Sequence, residues 1–294
     1  MLSSDSLPDQ AAGLRRIANP EPVRVIAVTS GKGGVGKTNV SVNLAVAMAA
    51  AGKEVMLLDA DLGLANVDVL LGLQPHYNLS HVISGERSLE EVIVEGPLGI
   101  KIIPASSGIK QMVDLDAMAY AGIVRAFSEL SAKVDALIVD TAAGISNGVT
   151  TFVGAAQEVI VVVCDEPASI TDAYAMIKVL NRDYNIRRFR VLANMARSVR
   201  EGYELFTKIA RVCDKFLNVS LDFMGGVPHD EQLRLAVQKQ RAVVEAYPSS
   251  RAALAFKKLA QKADNWPVPD DATGQVAFFI ERLIQSRQQA EART

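Results

Sequence analysis

Apolar strand-like runs recur along this chain, and helix-length segments separate most of them. The runs lie near residues 23–29, 54–58, 100–103, 134–139, 157–163, 189–193 and 219–227. Val159-Ile160-Val161-Val162-Val163 is apolar at every position, as expected of a strand covered on both faces. The alternation predicts an α/β fold of three layers, a mostly parallel sheet of about seven or eight strands with helices on both faces. No composition break or internal repeat interrupts 23–265, which reads as one domain.

The two ends have a different character. In residues 1–22, Asp9-Gln10-Ala11-Ala12-Gly13-Leu14-Arg15-Arg16-Ile17 carries a short helical pattern bounded by Pro8 and Pro20. Asp9 suits its cap, and the piece is too short to stand as a free helix. A disordered tail and a peptide that folds on a partner fit it equally well. Residues 266–294 read as a linker, Trp266 to Gly274, followed by an amphipathic helix. Its apolar stripe is Val276, Phe279, Ile280, Leu283 and Ile284. Such a stripe packs on its own domain or lies on a membrane interface.

Composition narrows the class. The chain has 294 residues, 49% of them hydrophobic, so a large core is available and global disorder is excluded. A formal charge of −2 argues against wholesale binding to nucleic acid. Two cysteines, Cys164 and Cys213, read as reduced thiols of a cytoplasmic protein. The first residues lack the pattern of a signal peptide, and no apolar stretch is long enough to span a bilayer. Membrane contact is therefore expected to be peripheral.

The first strand runs into Gly31-Lys32-Gly33-Gly34-Val35-Gly36-Lys37-Thr38, with a long apolar helix pattern behind it. This is the G-x-x-x-x-G-K-[ST] phosphate loop in its strand–loop–helix context, which predicts a P-loop NTPase fold. Its glycines let backbone amides converge on phosphate oxygens, and the helix N-terminus adds positive charge. The predicted nucleotide contacts run from Gly31 through Asn39. Lys37 is expected on the β- and γ-phosphates and Thr38 on Mg²⁺.

Strand ends on the same rim supply the other chemistry. Asp59 and Asp61 follow the second run; one is expected to support Mg²⁺ through water, the other to orient the attacking water. The fourth run closes on Asp140, a Walker-B candidate for Mg²⁺, with Gly144 the hinge of a nucleotide-sensing loop. Asn194 offers a donor and an acceptor to an adenine edge, and Pro228-His229-Asp230 could flank the base. Ordinary strand-end turns explain those two segments as well. No N-K-x-D motif is present, so ATP is preferred to GTP. The acidic turn Cys164 to Ser169 is expected at a partner or subunit surface, away from phosphate.

With Lys32 inside the loop, Asp59 and Asp61 after the second run, and Asp140 to Gly144 after the fourth, the chain resembles the MinD/ParA family of deviant Walker-A ATPases. The family pattern K-G-G-x-G-K-[ST] is met by Lys32 to Thr38. The resemblance implies an ATP-dependent homodimer in which Lys32 reaches the phosphates of the facing subunit, catalytic with Lys37 and Asp61. It also implies that Asp61 positions water, Asn66 lies in the first switch, Asp140 supports Mg²⁺, and Asn194 with Pro228 to Asp230 holds adenine.

Asp9 to Arg15 also looks like the D-Q-A-x-x-L-R element of the subgroup that regulates flagellar number. There Asp9, Gln10, Leu14 and Arg15 would stimulate the flagellar GTPase FlhF. A flagellar transcription activator and basal-body or C-ring proteins would be further partners, and the C-terminal helix would bind membrane at a cell pole in the ATP state. Two other readings are a DNA-partition ATPase and a division-site regulator. The first is favoured by the basic segment 234–262, whose only acid is Glu245, although direct DNA binding is not expected. The second leaves Asp9 to Arg15 unexplained.

Overall fold

The computed structural model describes residues 23–61, 66–104, 126–127, 130, 133–267, 279–280 and 282–283. Its strands are β1 (Arg24–Ser30), β2 (Val55–Ala60), β3 (Val94–Glu95), β4 (Lys101–Ile103), β5 (Ala136–Ala143), β6 (Glu158–Val163), β7 (Arg188–Ala196) and β8 (Ser220–Pro228). They form one sheet in the order β3-β4-β2-β5-β1-β6-β7-β8, parallel throughout except where β3 meets β4. The seven apolar runs are all strands. β3 has no sequence signal because two residues are too few to show a period. Its presence makes the Asp140 strand the fifth of the chain, not the fourth.

Ten α-helices accompany the sheet among the described residues: α1 (Lys37–Ala50), α2 (Asn66–Leu71), α3 (Leu79–Ile83), α4 (Leu89–Val92), α5 (Asn147–Ala155), α6 (Pro167–Tyr184), α7 (Val199–Phe216), α8 (Glu231–Gln238), α9 (Val243–Ala246) and α10 (Arg251–Asp264). Strand alternation sorts them into two layers. In β1, Ile26 and Val28 join Val40 and Leu44 of α1 and Phe256 and Leu259 of α10 in one core. Val25 and Ala27 face the other way, into a core with Phe152 of α5, Ile177 of α6 and Leu205 of α7. Both faces of the central strands β1, β2 and β6 are dry, which explains their apolar runs.

β1 lies mid-sheet, between β5 and β6. A central strand flanked by crossovers to both sides opens a crevice at its carboxyl end, and the phosphate loop leaves β1 there.

The C-terminal stripe needs correction as a free membrane face. Phe279, Ile280 and Leu283 are buried, in the core that also holds Phe152 and Leu205. An apolar stripe on a short tether meets its own domain's apolar surface first, and burying each such side chain is worth about 1.5–3 kcal/mol. Val276 and Ile284 lie outside the described residues. Trp266, read as the start of a linker, is also buried: Arg24 donates to its carbonyl at 2.8 Å and the Arg190 guanidinium stacks 4.7 Å from its ring. Asp9, Gln10, Leu14 and Arg15 lie outside the described residues. Among those that are described, no helix is long and apolar enough to cross a membrane.

Candidate functional site

The loop between β1 and α1 is shaped by its glycines. Gly34 and Gly36 adopt φ of 80° and 84°, the left-handed region where side chains are strained. Gly31 is required for another reason: a Cβ there would lie 2.2 Å from the Asp172 carbonyl of α6. Gly36 caps α1 without any side-chain hydrogen bond, and no acidic residue occupies the first turn. An uncapped helix N-terminus beside a concave glycine loop is a ready anion site.

Lys37 is 9% exposed. Burial lowers its pKa, against the opposing pull of Asp140 and Asp61. Thr38 and Asn39 sit on the same first turn, and Asn39 Oδ1 is buried without a partner. Gly33 is exposed, while Val35 is buried and anchors the loop in the core.

Two fully buried carboxylates face this turn. Asp140 Oδ1 accepts from Ser41 Oγ at 2.7 Å, and Thr38 also bonds this side chain. Its Oδ2 is buried without a partner. Burial pushes the pKa up to about 6, against the Ser41 and Thr38 hydrogen bonds. An orphaned carboxylate oxygen beside a threonine hydroxyl and a buried lysine is a donor set suited to a hydrated Mg²⁺. Ser41 was missed by sequence reading. Its only signal is its place one turn after Lys37, on the inward face of α1.

Asp59 is raised to about 7, first by burial and then by the Asp140 charge. It is tied to backbone: Oδ1 accepts from Asp61 N at 3.1 Å, and Oδ2 from Asn66 N at 3.2 Å and Val67 N at 3.1 Å. Asp59 therefore ties the end of β2 to the first turn of α2. Asn66 Nδ2 donates to Asp61 Oδ2 at 3.0 Å, so the two switch candidates are physically joined. Gly144 has φ 92°, and its amide donates to Ser30 O at 3.0 Å, linking the loop after β5 to the end of β1.

At the other end of the loop, Asn194 Nδ2 donates to Val35 O at 2.8 Å. Its Oδ1 is buried and unpartnered, an acceptor waiting for an N–H such as the adenine amino group. A Cβ on Gly36 would stand 2.4 Å from Asn194 Nδ2, a second reason for glycine there. Met195, half exposed with φ 57°, projects beside Gly36 and was not singled out from sequence.

The Pro228 to Asp230 loop adjoins this corner, since His229 N donates to Ala196 O at 3.1 Å. The Asp230 carboxylate has structural partners as well: it accepts from Gln232 N at 2.9 Å and Ala252 N at 2.8 Å. Each oxygen already accepts from a backbone amide, so Asp230 has a structural role in this loop. The His229 side chain is exposed.

Lys32 forms an ion pair with Glu166 of the turn before α6. That acidic turn was expected on this rim, at a partner or subunit surface and not on phosphate, and its carboxylate here meets Lys32. The sheet order brings the two together, because β6 lies next to β1. The hydrogen bond to Glu166 raises the Lys32 pKa.

The ParA family, described as NUBPL iron-transfer P-loop NTPase, matches residues 22–264. The antiactivator FleN of Pseudomonas aeruginosa is 60% identical over 272 residues, covering 92% of this chain and 97% of that protein. The flagellum site-determining protein YlxH of Helicobacter pylori is 35% identical over 247 residues, covering 80% and 82%. Among solved structures, the septum site-determining protein MinD complexed with Mg-ADP from Pyrococcus horikoshii superposes with a TM-score of 0.66 at 26% identity, covering 83% of this chain and 96% of that one.

Proposed function

The chain belongs to the ParA/MinD family of P-loop ATPases, which work with nucleotide and Mg²⁺, and we propose that it is an ATP-driven switch regulating flagellar number. One observation carries the reading. In a chain 60% identical to an antiactivator named FleN, a helix N-terminus without a side-chain cap, Lys37 and Thr38 stand on the turn that meets the unpartnered Asp140 carboxylate.

In this reading the loop amides and Lys37 bind the β- and γ-phosphates. Thr38 and Asp140 hold Mg²⁺, directly and through water, and the ion neutralises charge between the phosphates when bound. Asp61, oriented by Asn66, positions the attacking water. Asn194 Oδ1 accepts the adenine amino proton, while Met195 and Pro228 bracket the ring. Lys32 leaves Glu166 to reach the phosphates of a second subunit and stabilise charge developing there. The pairing with Glu166 supports a lysine parked in the monomer.

The ATP dimer would release the C-terminal helix toward membrane, stimulate the flagellar GTPase FlhF through Asp9 to Arg15, and restrain a flagellar transcription activator. Iron transfer, named in the family description, is disfavoured by the donors: Cys164 and Cys213 are buried in the cores on opposite faces of the sheet.

Sedimentation with ATP and Mg²⁺ tests the switch. Lys32→Ala and Asp61→Ala should both lose turnover, and Asp61→Ala should accumulate as a dimer. An Asp61→Ala protein that stays monomeric defeats the reading. Deleting residues 1–20 should abolish stimulation of FlhF; an unchanged GTPase rate removes the flagellar argument drawn from that segment.

A further inference from the structure

A cavity of about 610 Å³ opens along β8, at the edge of the sheet, between the start of α7 and the outer side of α10. Its floor is apolar, with Met224, Val199, Leu254 and Leu259. Gly225 and Gly226 leave backbone without side chains beside that floor, where β8 bulges and its register jumps from Phe223 to Gly225. Val199 is 85% exposed and Leu254 48%, so these apolar surfaces face the opening and are not covered by the fold.

The rim has one sign of charge. Arg197, Arg251, Lys258 and Lys262 line the cavity, and none of the lining residues is acidic. Two of these cations are spent on backbone carbonyls, Arg251 on His229 O at 3.0 Å and Lys262 on Phe223 O at 2.6 Å. Carbonyls leave their positive charge unneutralised. Lys258 makes no hydrogen bond or ion pair among the described residues. Arg197 pairs with Glu201, 3.9 Å from its Nε, and its backbone N–H donates to the same carboxylate, which leaves Lys258 as the open cation of the rim.

We propose that this groove is a docking site for an acidic, apolar-studded segment of a partner protein. Apolar side chains would fill the floor, carboxylates would meet Lys258, and the segment's backbone could pair with the open β8 edge above Lys262. A nucleic-acid duplex is the poorer occupant, because phosphates gain nothing from an apolar floor.

The position gives the dock a consequence. The upper end of the groove is built from Ala196, Arg197 and Pro228, and the Ala196–His229 hydrogen bond joins the two loops that flank the candidate base site. An occupant leaning on these loops shifts the cradle around Asn194. Bound nucleotide and bound segment therefore influence each other reciprocally. This second part rests on the nucleotide reading above; the dock itself does not.

The test uses the full chain and a fluorescein-labelled peptide of alternating Asp or Glu with Leu or Phe. Control probes are the same peptide with Lys at every acidic position, an all-acidic peptide, and a short DNA duplex. Without nucleotide, the acidic–apolar peptide should bind, and both Lys258→Glu and Leu254→Ser should weaken it at least tenfold, while the Lys version does not bind. These side chains are exposed, so thermal melting of both variants should match wild type. Binding that ignores both substitutions, no binding, or displacement by duplex DNA overturns the dock. With the peptide saturating, release of a fluorescent ADP analogue should change at least twofold. Peptide binding with an unchanged release rate overturns the coupling alone, and absence of ADP binding would instead defeat the nucleotide reading.

Discussion

Replacing Asp140 with asparagine removes a buried charge and keeps the shape of the side chain. The retained oxygen can still accept from Ser41, and the amide nitrogen takes the place of the partnerless Oδ2. Burial raises the Asp140 pKa from 3.8 to about 6. The native state therefore holds this proton to higher pH than the unfolded chain does. Stability is greatest below the unfolded value, falls as pH rises toward 6, and is flat above it. A shift of roughly two units is worth about 3 kcal/mol against the nucleotide-free fold at neutral pH. Asp59 adds to the slope, since its pKa of about 7 owes part of its rise to the Asp140 charge.

Asp140→Asn should thus be more stable than wild type at neutral pH by about 1–3 kcal/mol, with an advantage that vanishes near pH 4. Urea midpoints in EDTA across about pH 4–8 read this directly. Adding Mg²⁺ and ADP should stabilise wild type more than the variant, because the variant keeps the nucleotide contacts and loses only the carboxylate proposed to serve the ion. A variant less stable than wild type at neutral pH, or an advantage independent of pH, would refute the buried-charge argument.

Gly31→Ala should cost about 1–3 kcal/mol, because its Cβ would have to displace the Asp172 carbonyl; thermal melting measures it, and nucleotide affinity should fall with it. Asn194→Ala removes the bond to Val35 and the waiting acceptor, so ATP affinity should drop by about 1–2 kcal/mol in calorimetry, with preference over GTP reduced. Phe279→Ala should weaken docking of the C-terminal segment by about 3–5 kcal/mol, seen as faster proteolysis of the tail and more sedimentation with anionic liposomes; unchanged proteolysis would mean the burial is not what holds it. Glu166→Gln breaks an exposed ion pair worth under about 1 kcal/mol, so melting should hardly move, while ATP-dependent dimerisation strengthens if Glu166 parks Lys32.

Much of the site was legible because its signals are local. The glycines of the phosphate loop, the strand before it and the apolar helix behind it are contiguous, and their spacing alone identifies an anion cradle. Asp59, Asp61, Asp140 and Asn194 were found because acids and amides at the carboxyl ends of parallel strands share one rim. Ser41 and Met195 were not legible, since a serine within a helix and a methionine after a strand are ordinary until a partner is known. The structural role of Asp230 was hidden for a related reason. Its carboxylate serves two helix N-termini, and one of them, at Ala252 in the first turn of α10, lies 22 residues along the chain.

The sequence by itself determined the element types, their order along the chain and the phosphate loop, because periodicity and turn chemistry act over a few residues. Strand order was decided by how crossovers pack, and that order brings Glu166 to Lys32, Asn194 to Val35 and Ser41 to Asp140. The same holds for the amphipathic C-terminal stripe, whose pattern fits lipid and protein equally. Only the competing apolar face of the folded domain decides that Phe279, Ile280 and Leu283 are buried within it.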